Sequence, residues 1–292
     1  MKREVHSAGP PDRDFPPSKR CALRPERIQE SLRGKLFSVN FVYKKTVDST
    51  NRLAKDLGRR GAPDGTLVLA EQQSAGRGRR GRKWLSQGHA NLLFSLGLRP
   101  GIPVERAFVL TMVLALSAVD GIREVAGVLP MIKWPNDLYL GGRKLAGILS
   151  EFLVKDDRID YLVLGMGINV NWAPGHNPEL SYPATSLLQE TRRPIDREEL
   201  LLCILQYFEK SYPSVKSGDI SGFYRRWNEL SLVLGREVMI ESSGEVYRGT
   251  ALGIDDKGAL LLREPGGGER RILAGDVSLR LAGARCNLEE HP

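Results

Sequence analysis

Cysteine is scarce in this sequence. The chain has 292 residues and three cysteines, Cys21, Cys203 and Cys286, which lie far apart and form no Cys-x-x-Cys pair. This spacing excludes a disulfide framework and a cysteine-based zinc site, and it is typical of a protein in a reducing compartment.

Long apolar runs and targeting segments are also lacking. The longest uncharged apolar stretch, residues 107–119, is shorter than the roughly 20 residues that a membrane-spanning helix needs. We interpret it as a buried helix. No positively charged segment followed by an apolar one opens the chain, so we predict no secretory signal, no membrane association and a cytoplasmic location.

The excess positive charge is confined to two places. The net charge is +8, and residues 1–36 hold nine Lys or Arg against five Asp or Glu. One loop adds five more cations: Arg77, Arg79, Arg80, Arg82 and Lys83. The rest of the chain is close to neutral. This distribution predicts a local anion site on an enzyme-like surface rather than a protein that binds nucleic acid over its whole body.

The composition of this basic loop, residues 76–84, suits a ligand better than a structural role. Its sequence is Gly-Arg-Gly-Arg-Arg-Gly-Arg-Lys-Trp. Like charges repel and glycine is costly to order, so we expect a mobile loop until an anion binds. Guanidinium groups and close-lying backbone N–H groups can then hold a phosphate or carboxylate. Taken alone, the loop is more simply explained as a solvated charged run or a nucleic-acid patch.

Secondary-structure signals divide the chain into three parts. Residues 1–30 are rich in Pro and charge with almost no apolar periodicity, so we expect a disordered or loosely attached tail. In the middle part, the apolar pattern predicts strands at 37–47, 66–70, 91–98 and 161–170. It also predicts helices after 51, from Pro103 to Gly127, and at about 196–212 and 217–230. After Leu234, short alternating strands predict an antiparallel barrel of roughly fifty residues.

Two polar segments lie beside predicted strands. Residues 48–51, Asp-Ser-Thr-Asn, suit a helix cap, and a helix N-terminus can also hold a polar ligand head. Residues 133–137, Lys-Trp-Pro-Asn-Asp, precede a predicted hairpin over 139–151, where lysines are most simply surface residues. Gly165 and Gly167 interrupt a strand, which indicates a bulge or a closely approaching ligand.

Together these motifs resemble the biotin protein ligases. The resemblance rests on Asp48-Ser49-Thr50-Asn51, Gln73, the basic loop, Lys133-Trp134-Pro135-Asn136-Asp137, Arg143-Lys144-Leu145-Ala146-Gly147-Ile148 and Gly165-x-Gly-Ile168-Asn169. It covers residues 36–281 and implies an α+β fold. A catalytic domain like that of class II aminoacyl-tRNA synthetases would span 36–232, and an SH3-like barrel would span 233–283. A Pro- and Arg-rich tail, 1–35, stands where larger bifunctional members carry a winged helix, which favours a monofunctional ligase over a repressor.

The resemblance implies chemistry in two steps. Biotin and ATP would first give biotinyl-5'-AMP. A lysine of a biotin carboxyl-carrier domain, in acetyl-CoA carboxylase or a related carboxylase, would then accept the biotin. Mg²⁺ would accompany ATP, with its ligands unassigned. No DNA partner is implied, and dimerisation is left open.

The same resemblance assigns roles to individual residues. It implies biotin contacts from Ser49, Thr50, Asn51, Gln73, Arg77, Gly78, Arg79 and Lys144. It implies ATP contacts from Arg77, Arg79, Trp84, Lys133, Asn136 and Asn169. Asn169 would lie near the adenine, and Trp84 would close over the intermediate.

The residue chemistry independently suits this reaction. Bringing a carboxylate to an α-phosphate forces two anions together, and cations offset that repulsion most strongly in the transition state. Arg77, Arg79 and Lys144 can supply the charge, with Mg²⁺ on the leaving pyrophosphate. Asp137 is our hypothesis for the group that positions or deprotonates the acceptor amine, although a turn-forming role explains it about as well.

Two other functions are compatible with parts of the pattern. A lipoate or octanoate protein ligase would share the fold and the acyl-adenylate chemistry, but the basic loop with a terminal barrel favours biotin. A non-catalytic RNA-binding protein would use the basic loop and the barrel. The few aromatic residues near the loop argue against the stacking platform that such proteins use.

Overall fold

The computed structural model describes residues 23–172, 174, 182–242, 244–273 and 275–279. Its helices are α1 (Pro25–Ser31), α2 (Thr50–Arg59), α3 (Ala107–Ala126), α4 (Leu187–Thr191), α5 (Arg197–Ser217) and α6 (Ser221–Glu229). Its strands are β1 (Asn40–Val47), β2 (Thr66–Gln73), β3 (Asn91–Leu98), β4 (Met131–Lys133), β5 (Asp137–Leu140), β6 (Arg143–Lys155), β7 (Arg158–Asn169), β8 (Glu237–Ser242), β9 (Glu245–Ile254), β10 (Leu260–Arg263), β11 (Glu269–Ile272) and β12 (Asp276–Leu279).

The first seven strands form one sheet in the order β1-β2-β3-β7-β6-β5-β4. Only β1 and β2 pair in parallel, and the other neighbours are antiparallel. Leu67 and Leu69 of β2 belong to the main core with α3 and α5, whereas Val68 packs with Ala54 of α2. Because both faces of the central strands are covered, these strands are continuous apolar runs rather than alternating patterns.

Helix α3 confirms the interpretation of the apolar stretch as a buried helix. A short 3-10 turn, Val104–Arg106, follows Pro103, and the helix ends where Gly127 takes a left-handed φ of 74°. Every residue from Val109 to Ile122 is buried, against the sheet and α5. No helix among the described residues is both long and apolar enough to cross a membrane.

The N-terminal segment corrects one expectation. Residues 23–30 belong partly to helix α1 and are not a loose tail, since Leu23, Ile28 and Leu32 are buried in the main core. Arg24 and Arg27 also pair with Glu198 on α5. Three apolar side chains and these ion pairs are enough to hold a short helix that shows little periodicity. The prediction for residues 1–22 lies outside the described residues.

The element boundaries depart modestly from the predictions. A 3-10 turn, Leu36–Ser38, precedes β1, so the strand begins at Asn40 rather than at residue 37. Helix α5 continues past residue 212 to Ser217, where Gly218 ends it with a φ of 84°. Local propensity places the elements but leaves their ends to the packing around them.

The last five strands form a second, antiparallel sheet in the order β11-β10-β9-β8-β12, as the alternating pattern after Leu234 predicts. It packs on the first part of the chain through Gly258, whose carbonyl accepts a 2.9 Å hydrogen bond from Trp134 Nε1. Phe108 contacts Gly258 and lies edge-on to Trp227, with ring centroids 5.4 Å apart. The two sheets therefore share one core, and β12 is held close to the basic loop.

Candidate active site

The polar motifs of the sequence converge on one open cleft. It lies beside the N-terminus of α2, between the basic loop and strands β6 and β7. The predicted residues that line it are Ser49, Thr50, Asn51, Gln73, Arg77, Gly78, Arg79, Trp84, Asn136, Asp137 and Lys144. Residues far apart in the sequence thus form a single concave surface.

One end of the cleft is a buried polar network at the start of α2. Ser49 caps the helix by accepting from the backbone N–H of Arg52. Gln73 Oε1 accepts from the backbone N–H of Thr50 at 2.8 Å and from its hydroxyl at 3.0 Å. Ser95 Oγ lies 2.8 Å from Thr50 Oγ1 and 2.7 Å from Asn51 Oδ1. This end can exchange hydrogen bonds with an uncharged polar ligand.

The glycines of β7 allow side chains to enter the sheet surface. A β-carbon at Gly165 would collide with Asn51 Oδ1, and one at Gly167 would collide with the Trp84 ring. The prediction was a bulge or a closely approaching ligand, but β7 pairs without a bulge at Gly165 and Gly167, and the groups that approach them are side chains of the protein itself. Asn51 and Trp84 are thereby brought to the floor of the cleft.

The basic loop forms a compact turn in this structure. The backbone N–H of Gly78 donates to the carbonyl of Arg82 at 2.7 Å, and the backbone N–H of Trp84 donates to the carbonyl of Gly76 at 3.0 Å. At the tip, Arg80 and Gly81 take left-handed φ values of 54° and 74°. The backbone therefore supplies order that the composition of the loop does not predict.

A carboxylate of the second sheet holds the loop cations. Asp276 pairs with Arg82 and, at 3.4 Å, with Arg80. Arg79 Nη1 donates to Asn136 Oδ1 at 3.2 Å and to the carbonyl of Gly275 at 3.4 Å. Burial lowers the pKa of Arg79, against the opposing effects of Asp276 and Asp137. An internal carboxylate thus occupies loop guanidinium groups that were expected to stay mobile until an external anion binds.

Lys144 and Asp137 form an ion pair of 2.7 Å in the cleft. The Lys144 ammonium also lies 4.6 Å from the Tyr182 ring and 5.8 Å from the Trp84 ring. Among the described residues, Asp137 Oδ1 is buried and has no hydrogen-bond partner. The pair therefore combines a cation aimed at the cleft with a carboxylate oxygen that is free to accept a proton or a hydrogen bond.

A second cleft of about 1060 Å³ lies between the two sheets and reaches the same ion pair. Lys133 lines this second cleft and not the first, with its ammonium 4.9 Å from the Tyr139 ring. Burial lowers the pKa of Lys133 and raises that of Tyr139. The two clefts give Asp137 and Lys144 access from two sides.

Asn169 is placed away from the first cleft. Its side chain is buried, accepts from Asn91 Nδ2 at 2.9 Å and donates to the carbonyl of Thr185 at 3.0 Å. This network connects β3, β7 and the segment before α4. The assignment of Asn169 to an adenine pocket stays a prediction, and its contacts here are structural.

Four residues of the site region were not predicted: Ser95, Glu151, Tyr182 and Asp276. Ser95 and Glu151 are polar residues that interrupt apolar stretches of β3 and β6, which is the one local signal that the sequence offers for them. Asp276 carries no such signal, since it lies 194 residues from Arg82. No group of three or more His, Cys, Asp or Glu that could hold a metal occurs in the described ranges.

Two family models match the chain. Residues 43–169 match the biotin/lipoate A/B protein ligase family, and residues 233–280 match the biotin protein ligase C-terminal domain. The first match spans the strands and loops that build the cleft, and the second spans the second sheet.

Individual relatives agree with these matches. The bifunctional ligase/repressor BirA of Bacillus subtilis is 38% identical, over 89% of this chain and 82% of its own length. The biotin--[acetyl-CoA-carboxylase] ligase of Mycobacterium tuberculosis is 34% identical, over 88% of this chain and 97% of its own. The biotin protein ligase from Aquifex aeolicus, solved in complex with biotin and ATP, has a TM-score of 0.70 and 33% identity, over 82% of this chain and 98% of its own. This chain belongs to the biotin protein ligase family.

Proposed function

We propose that the chain is a biotin–[biotin carboxyl-carrier protein] ligase. It activates biotin with ATP to biotinyl-5'-AMP and transfers the biotin to a lysine of a carrier domain in acetyl-CoA carboxylase or a related carboxylase. One observation carries the proposal: a single cleft joins an uncharged polar end, at Thr50 and Gln73, to a cationic end, at Arg79 and Lys144. Biotin has the same two chemistries, a neutral ureido ring and a carboxylate.

The polarity of the cleft supports one orientation of the substrates. The ureido ring would exchange hydrogen bonds with Thr50 and Asn51, which places the biotin carboxylate toward Lys144. The α-phosphate of ATP would meet that carboxylate between Lys144 and the basic loop. Cations here stabilise the charge that develops as the acyl–phosphate bond forms and pyrophosphate leaves. Trp84, Asn136 and Asn169 are proposed on the nucleotide side.

The metal would enter with the nucleotide. Mg²⁺ commonly keeps several waters and binds through one or two carboxylates plus substrate phosphates. The cleft offers Asp137 and Asp276 as its carboxylates, which suits MgATP better than a resident metal centre. Lys144 would share the neutralisation of the phosphates in the first cleft, and Lys133 would add positive charge from the second cleft.

The second half-reaction would use the other cleft. The acceptor lysine would approach between the two sheets, where Asp137 can position its amine or accept its proton. The part of the chain over 36–232 would then carry the chemistry, and the part over 233–283 would form one wall of the entry. The cytoplasmic location, the monofunctional character and the possibility of a homodimer remain predictions.

The proposal is tested by a substrate panel. Pyrophosphate release should depend on biotin, and not on lipoate or octanoate, with ATP present. A purified carrier domain should then gain the mass of one biotinyl group. Release that depends on lipoate or octanoate would assign the chain to the alternative ligases of the same family, and RNA binding without pyrophosphate release would indicate a non-catalytic function.

Gly165→Ala should weaken biotin binding by roughly ten- to a hundredfold, the range that overpacking of a close contact produces. The added methyl group would displace Asn51 from the cleft floor. Isothermal titration with biotin measures the effect. Gly222→Ala is the matched control, because a β-carbon there meets open space. If Gly165→Ala binds biotin as wild type does, biotin lies elsewhere.

Trypsin should cleave the free protein at the exposed tip of the basic loop, and biotin with ATP should slow that cleavage. The tip residues Arg80 and Arg82 are partly exposed, and the loop would gain phosphate contacts when the intermediate forms. Stabilisation by ligand should lower the cleavage rate by roughly tenfold or more at saturation. Cleavage after Lys257, in an exposed turn of the second sheet, provides the internal control. Equal rates with and without ligands would contradict loop closure.

A further inference from the structure

Glu151 lies behind the polar end of the cleft and is not among the residues that line it. Its two carboxylate oxygens accept from different donors. Asn51 Nδ2 donates to Oε2 at 3.1 Å, and Lys55 Nζ donates to Oε1 at 3.1 Å. Burial opposes ionisation, but these bonds and the charges of Lys55 and Arg77 lower the pKa of Glu151 overall. The carboxylate is therefore charged at neutral pH and can only accept hydrogen bonds.

The carboxylate determines which way the Asn51 side chain faces. The second proton of Asn51 Nδ2 goes to the carbonyl of Leu149, also at 3.1 Å. Both protons of the amide are thus used inside the protein, on two groups that can only accept. The amide oxygen faces Ser95, at 2.7 Å, and keeps a second lone pair, and Asn51 is one of the residues that line the cleft. Asn51 consequently presents an acceptor to a ligand.

We infer that Glu151 is a positioning residue for biotin recognition, which holds Asn51 with its amide oxygen toward a ureido N–H of biotin. The inference rests on the proposed function, because it concerns the same end of the cleft. It explains why β6 carries a charged residue in its middle, at position 151. It also gives Lys55 a role, since its ammonium fixes the other oxygen of the same carboxylate.

Glu151→Gln is the informative substitution because it keeps the shape and removes the second acceptor. Lys55 would attract the single amide oxygen, which leaves the new NH₂ group facing Asn51 Nδ2. Two donors would then oppose each other. Asn51 would rotate by half a turn to relieve this, which breaks its bond to Leu149 and presents NH₂ to the cleft. The biotin N–H would meet a donor in place of an acceptor.

We expect Glu151→Gln to raise the Kd for biotin by about tenfold, as the loss of a hydrogen bond to a charged group often does. Isothermal titration of the full chain with biotin, in the absence of ATP, measures it. The KM for ATP and kcat at saturating biotin should change less than the Kd for biotin, and the melting temperature should stay close to wild type, because the hydrogen bonds of Glu151 go to Asn51 and Lys55 at the polar end of the cleft. Glu105→Gln, at an exposed position before α3, is the control for loss of a negative charge.

A double-mutant cycle separates positioning from a general structural effect. In an Asn51→Ala background, Glu151→Gln should change the Kd for biotin by less than twofold, because the residue through which it acts is gone. If Asn51→Ala does not fold, Asn51→Ser replaces it in the cycle. If Glu151→Gln raised the Kd for biotin by the same factor in the Asn51→Ala background as in wild type, the inference would be overturned. A Glu151→Gln variant that binds biotin like wild type would also overturn it. A wild-type protein that does not bind biotin would overturn both the inference and the proposed function.

Discussion

Lys144→Ala should lower the rate of adenylate formation by roughly two to four powers of ten, the range seen when a single charge-stabilising group is lost. The ammonium lies 2.7 Å from Asp137 in a cleft that carries several cations, so substrate anions can displace that carboxylate and take its place. The repulsion between carboxylate and α-phosphate grows as they approach, and Lys144 opposes it at that moment. Biotin binding in the absence of ATP should change much less.

A rapid-quench measurement of the first turnover tests this expectation. Lys155→Ala provides the matched control, since Lys155 lies at the exposed far end of the same strand, β6. The melting temperature should change little in either variant, because Lys144 contributes contacts to the cleft rather than to the core. First-turnover adenylation by Lys144→Ala within tenfold of wild type would show that Lys144 does not stabilise the transition state.

Arg79→Gly should release the intermediate about ten- to a hundredfold faster while adenylation continues. A charged hydrogen bond contributes about 1.5 to 3 kcal/mol, which corresponds to this factor in the dissociation rate. Arg79 is held by Asn136 and the carbonyl of Gly275, so its guanidinium is oriented before the phosphate arrives. Biotinyl-AMP that escapes acylates stray amines, and the variant should biotinylate bystander proteins.

Serum albumin serves as the bystander protein. Wild type and Arg79→Gly are incubated with albumin, biotin and ATP, and the albumin is blotted for biotin. Labelling should increase with enzyme turnover and fall when free amine competes for the adenylate. Arg60→Gly, at the end of α2 and away from the cleft, controls for the loss of an exposed arginine. A variant that forms adenylate but labels albumin no more than wild type would show that Arg79 does not retain the intermediate.

Predictions from local sequence were accurate where a single segment decides the outcome. The cap at Ser49, the buried helix α3 that ends at Gly127, and the hairpin of β5 and β6 follow from residues within a few positions of one another. The motifs that indicated ligand chemistry were also local. Their clustering in one cleft was implied by the family resemblance rather than by the segments themselves.

Predictions that required distant partners were incomplete. Like-charge repulsion in the basic loop suggested mobility, but Asp276 offsets that repulsion from the second sheet. The N-terminal segment looked unable to bury enough surface, yet Leu23, Ile28 and Leu32 are buried in a core that is built mainly by other elements. In both cases the compensating contact comes from a part of the chain that the local pattern does not contain.

The sequence by itself determined the chemical repertoire of this protein: a capped helix with polar residues at its start, a glycine-rich cationic loop, and lysine and aspartate residues beside a hairpin. The tertiary structure decided how these groups are oriented. Asn51 and Glu151 are 100 residues apart and meet because α2 packs across the strands of the sheet. Propensity and periodicity act over a few residues, whereas the direction of an amide or the partner of an arginine depends on which strands and helices lie against each other after folding.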